Sequence, residues 1–197
     1  MEEKIEFEDK IELVGVIGSE PTITHSYEFE DFYEFTLNVE RASGQIDSLP
    51  IVCSKRIFSN TLGIGSTVHV SGQIRTRNVL EGEKSRLKIT VFARELFETA
   101  ENHMNEVEIT GVIVKQPNFR TTPFQREITD LLVATNCHYN RSYYIPCIVW
   151  GRNARYASQF EIGKGATFVG RLQSRNYTKN DEVFTAYEVS VSTLKEI

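Results

Sequence analysis

The sequence predicts an all-β protein made of two tandem copies of one small barrel. Three observations carry this: a long internal repeat, period-two alternation of apolar residues in both halves, and one short non-strand stretch at the same place in each half. In the repeat, VEITGVI from Val107 to Ile113 restates IELVGVI from Ile11 to Ile17, with Gly111 lying 96 residues after Gly15. Pro117 and Pro146 restate Pro21 and Pro50 at the same spacing. GRLQSRN from Gly170 to Asn176 restates GQIRTRN from Gly72 to Asn78 at a spacing of 98. One period near half of a 197-residue chain means a duplicated domain, not a solenoid of short units. The copies are expected over 1–100 and 105–197, each long enough to bury one core, with the short polar stretch Glu98–Asn105 joining them.

The elements follow in order. Alternation with β-branched and aromatic enrichment predicts strands near 10–18, 32–41, 49–54, 67–78 and 86–97 in the first copy. The second copy gives 106–115, 127–137, 143–150, 166–177 and 183–194. Between the third and fourth strands the sequence predicts one helix per copy, Lys55–Leu62 and the alanine-containing Arg152–Phe160. Glycines close both stretches, Gly63 with Gly65 and Gly163 with Gly165, as helix stops do. Five strands with a helix between the third and fourth is the order of an OB-fold, a partly open five-stranded Greek-key barrel.

Composition excludes several classes. No run of about eighteen apolar residues is present, so no membrane span is expected. The acidic N-terminus lacks the basic-then-apolar pattern of a signal peptide. Three cysteines (Cys53, Cys137, Cys147) without CxxC spacing argue against a disulfide framework and for reduced thiols in a cytoplasmic protein. The net charge of −5 divides unevenly: residues 1–104 hold 18 acidic and 11 basic residues, residues 105–197 hold 9 and 11. A polyanion meets a local patch rather than an average, so the second half is the electrostatically suitable one.

The binding face is read from strand alternation. In the stretch from Tyr143 to Trp150, Ile145, Cys147 and Val149 form a complete core face. Tyr144, Pro146, Ile148 and Trp150 take the other side, which is too aromatic for an ordinary wet surface. In the fourth strand Phe168, Gly170 and Leu172 point inward, and Arg171, Gln173, Arg175 and Tyr177 point outward. Rings beside arginines suit a single nucleic-acid strand, because bases stack on rings at roughly 1–3 kcal/mol each while basic groups follow the phosphates.

The motifs IPCIVWGRNA (Ile145–Ala154), GKG (Gly163–Gly165) and VGRLQSRNY (Val169–Tyr177) resemble the bacterial single-stranded DNA-binding protein family. LGIGSTVHVSGQIRTR (Leu62–Arg77) in the first copy resembles the same family. The resemblance covers nearly the whole chain and implies base stacking at positions that fall on Tyr139, Tyr144, Trp150 and Tyr177. The corresponding first-copy positions hold Ser48 for Tyr144, Ser54 for Trp150 and Val79 for Tyr177, while Arg75 and Arg77 remain. The family's flexible acidic tail with a hydrophobic tip is not matched at the end of this sequence.

The expected function is sequence-nonspecific binding and protection of single-stranded DNA, mainly by the second copy, with no cofactor and no catalysis. Tyr144, Trp150 and Tyr177 are expected to stack, with Tyr139 as a further candidate. Arg171, Arg175 and Arg152 are expected to neutralise phosphates, and Arg75 and Arg77 are the first-copy candidates. Joining of several OB-folds in family members implies a homodimer supplying four barrels. The competing reading is a protein-interaction or primosome-type accessory module, favoured by the acidic first half. A nuclease would need carboxylates clustered on the binding face, where the second copy has none. RNA is a further possible ligand, since aromatic platforms tolerate either sugar. Cys137, His138 and Cys147 match no common zinc spacing, so no metal is expected.

Overall fold

The computed structural model describes residues 7–82, 84–137, 141–179 and 181–197. In the first copy, β1 (Asp9–Ile17) pairs antiparallel with β3 (Glu30–Glu40) and with β5 (Thr67–Glu81). Strand β3 continues to β4 (Ile46–Ser54), which runs parallel to β6 (Lys84–Glu98), and β6 returns antiparallel to β5. The order β1-β3-β4-β6-β5 therefore returns to β1, which is the OB-fold arrangement.

The second copy repeats this with β7 (Met104–Ile113), β9 (Glu127–Cys137), β10 (Arg141–Trp150), β11 (Gly165–Lys179) and β12 (Glu182–Glu196). β7 pairs with β9 and β11, β9 with β10, and β10 runs parallel to β12 at Cys147–Val149. The protein is thus all-β with two tandem OB-folds. Alternate residues fill each interior: Leu37, Leu49, Ile51 and Val91 in one, Ile109, Val133, Ile145 and Phe168 in the other. The repeated glycines Gly72 and Gly170 sit where a β-carbon would collide with the carbonyl oxygens of Phe92 and Ser190. That crossing explains why this motif survives in both copies.

Two details differ from the sequence expectation. Lys55–Leu62 is a series of turns, not a helix. Ser54 and Ser59 hydroxyls accept the amides of Arg56 and Thr61, at 3.1 and 3.3 Å, and these local bonds compete with helical ones. The second copy, with Ala154 and Ala157 buried, does form a helix, α1 (Arg152–Ala157), shorter than the expected Arg152–Phe160. Each copy also has an extra hairpin strand, β2 (Thr22–Tyr27) and β8 (Asn118–Thr121), exposed throughout and so without an apolar period to read.

The chain forms two compact units. One gathers Val107–Leu172 and Tyr187–Ile197 with the stretch ending at Asp9. The other gathers Lys10–Glu106 and also Gln173–Ala186, the far end of the β11–β12 hairpin. We call residues 173–186 the arm.

Candidate nucleic-acid interface

Strand β10 separates its faces as alternation requires. Ile145, Cys147 and Val149 are at most 3% exposed and complete the core. On the opposite face Tyr144 is 47% exposed and Trp150 half-buried. Ile148 shares that outer face but is covered, as is Ser190, which faces it across the β10–β12 pairing. The Trp150 indole N–H donates to the Ser190 hydroxyl at 3.1 Å. The ring is thereby held at one edge by a buried partner.

Basic groups lie on the neighbouring elements of the same copy. Arg152 is exposed at the start of α1, and Arg171 on β11 is half-buried. An open pocket of ≈ 710 Å³ beside Trp150 is lined by Arg126 and Arg155, with Thr121, Gln125 and Glu127. Arg155 grips Glu127 with both Nε and Nη2, at 2.5 and 2.6 Å. Those hydrogen bonds hold the Glu127 carboxyl below the usual carboxylate range. Arg126, together with exposed Phe119 and Phe124 on the β8–β9 hairpin, escaped the sequence reading because hairpin tips carry no periodic signal.

The expected site residues are distributed over both compact units. Tyr144, Trp150, Arg152 and Arg171 lie in one, and Arg175 and Tyr177 lie on the arm in the other, with Arg75 and Arg77. Arg175 is exposed, and Tyr177 is 39% exposed with its ring 5.7 Å from that of Phe184 across the arm. Tyr139 lies outside the described residues, as does His138. Gln173, expected to face outward, is 7% exposed.

The outer face of the first copy is not bare of rings, contrary to what its missing positions suggest. His25 stacks on Phe32 at 4.7 Å, Phe32 lies 6.1 Å from Phe92, and the Arg75 guanidinium sits 3.3 Å over the Phe92 ring. Arg75 is therefore engaged by a ring of its own barrel, whereas Arg77 is exposed. Lys88 pairs with Glu34 on the same face at 2.9 Å. Phe92 was legible as an aromatic beside the core residues Val91 and Ala93, but its stacking partners are distant in sequence.

Burial pushes the Cys53 thiol up to about 12, and that of Cys147 up as well. Among the described residues no cluster of three metal-ligating side chains occurs, and no helix is long and apolar enough to cross a membrane.

Comparison with known proteins bears on residues 104–197, which match the model of the single-strand binding protein family. Single-stranded DNA-binding protein 2 of Listeria innocua is 32% identical over 85 residues, 40% of this chain and 54% of its own length. Single-stranded DNA-binding protein 1 of Staphylococcus aureus is 31% identical over 86 residues, 40% of this chain and 51% of its own. The chain thus spans about half the length of the curated relatives it matches. The crystal structure of wild-type single-stranded DNA binding protein from Thermus aquaticus matches 98% of this chain and 94% of its own, with a TM-score of 0.80 at 18% identity. That likeness concerns the fold alone.

Proposed function

We propose, from the match of residues 104–197 to the single-strand binding protein family, that the chain binds single-stranded DNA without marked sequence preference. Bases would stack on Tyr144 and Trp150, and on Tyr177 where the strand reaches the arm. Arg152, Arg171 and Arg175 would neutralise phosphates, giving an affinity that falls steeply with salt. No bond is made or broken, so the protein acts as a binding and protecting partner and not as an enzyme. A cytoplasmic homodimer of four barrels remains part of this reading.

The observation that carries it is the edge-held Trp150 ring on the same outer face as half-exposed Tyr144, on a strand whose other face already fills the core. Holding the indole by its N–H leaves a π-face to meet a base, and every base has such a face, which accounts for tolerance of sequence. Trp150 is the only tryptophan, so its fluorescence reports on this site alone. Titration with a thymidine oligomer at low salt is expected to quench it, and the quench is expected to reverse as salt is raised. Unchanged emission together with no mobility shift would reject the reading.

A further inference from the structure

At the positions where the second copy has Tyr143 and Tyr144, the first has Asp47 and Ser48, by the 96-residue spacing. Asp47 is completely buried, an uncommon place for a carboxylate. It accepts two bonds from Arg41, Nε to Oδ2 at 2.6 Å and Nη2 to Oδ1 at 2.5 Å. Its Oδ1 also accepts the backbone N–H of Ser174, at 2.8 Å, from 127 residues away in the chain. The neighbouring Ser48 N–H donates to the Ser174 hydroxyl at 3.1 Å. Strand β4 is laddered to β6 only over Ile51–Cys53, so this earlier residue has a side left for such a partner.

Ser174 is thus held from both its amide and its hydroxyl. A second hold lies on the other strand of the arm, where the Arg86 guanidinium sits 4.0 Å from the centre of the Phe184 ring. Phe184 in turn packs against Tyr177, and Thr185 donates to Asn176 at 2.8 Å across the arm. All of these residues belong to one compact unit, Lys10–Glu106 with Gln173–Ala186.

We infer that the first copy is a seat for the β11–β12 arm, in which Asp47, fixed by Arg41, and Ser48 bracket Ser174 and so position Arg175 and Tyr177 for a DNA strand. The positioning consequence rests on the DNA-binding reading above; the seat does not. Arg175 immediately follows the bracketed residue, so its reach is set by that bond. The positions that lack rings in the first copy have been re-used to hold protein. Asp47 and Arg41 act here as positioning residues.

The test uses the full chain. In Asp47→Ala, hydrogen exchange across 173–186 is expected to rise at least tenfold while 143–150 stays unchanged. The slope of log affinity against log salt is expected to shrink by about 0.7, one phosphate contact on a single strand. Asp47→Asn keeps an acceptor for the Ser174 amide and should restore most of the protection. Because Asp47→Ala leaves Arg41 without its carboxylate, Arg86→Ala provides a surface variant that loosens the arm without touching the buried pair. Unchanged exchange of the arm in both alanine variants would overturn the seat. Raised exchange with an unchanged salt slope would overturn the positioning role. Loss of Trp150 quenching in the unmodified protein would instead reject DNA binding, and the exchange result would still decide the seat.

Discussion

The outer faces of the two barrels descend from one pattern and satisfy different demands. In the second copy, Tyr144 and Trp150 stand on the outside of a strand whose inside is full, and the indole is fixed by a single edge-on hydrogen bond to Ser190. In the first copy several outer rings engage one another or a side chain of their own barrel: His25 on Phe32, Phe32 near Phe92, Arg75 over Phe92. Asp47 and Ser48 there take up Ser174. Aromatic content alone does not make a stacking surface. The ring must be held while a face is left for the ligand.

The sharpest way to break this comparison is Trp150→Ala beside Arg77→Ala. Stacking at roughly 1–3 kcal/mol per base predicts a loss of about tenfold to a hundredfold in DNA affinity for the first. The second is expected to change it by less than about threefold, roughly what one exposed charge contributes. Equal losses in a salt-titrated assay would mean that both copies grip the strand. Tyr144→Ala is the next largest, about tenfold on the same basis, with Tyr144→Phe retaining affinity because the ring and not the hydroxyl stacks.

Arg171→Ala and Arg175→Ala should each reduce the salt slope by about 0.7 while leaving the quench amplitude intact. Ser48→Tyr restores the ring that the second copy has, yet it should add no affinity, since that position faces Ser174; a gain in oligomer binding would contradict the seat. The smallest effect is at Glu127. Glu127→Gln frees Arg155 beside Trp150 and should tighten binding about twofold at low salt, the scale of an exposed charge. Acid should act in the same direction. The folded-state pKa of Glu127 is lowered, so its ion pair is present above the ordinary carboxylate range and is lost as pH falls through the lowered value. A pH titration of the quench in wild type and Glu127→Gln, converging at low pH, checks it.

Much of the architecture was legible because duplication and strand alternation are local or periodic properties. The strand order, the core of β10 and the exposure of Tyr144 all follow from them. The surroundings of Arg75 were not legible, for a different reason. Alternation correctly sends it outward, but whether an outward arginine faces solvent or a neighbour's ring depends on Phe92, seventeen positions on and on another strand. Asp47 was unreadable for the same reason at greater range, since its meaning lies in an amide on β11. Lys55–Leu62 failed as a helix because serine hydroxyls captured the amides that a helix would need.

The bond between Asp47 and the Ser174 amide also makes the two copies non-interchangeable. A ring placed at 48 would meet Ser174, and an arm released would leave a buried carboxylate and its arginine with one partner fewer. Equivalent positions of the two repeats therefore tolerate different substitutions.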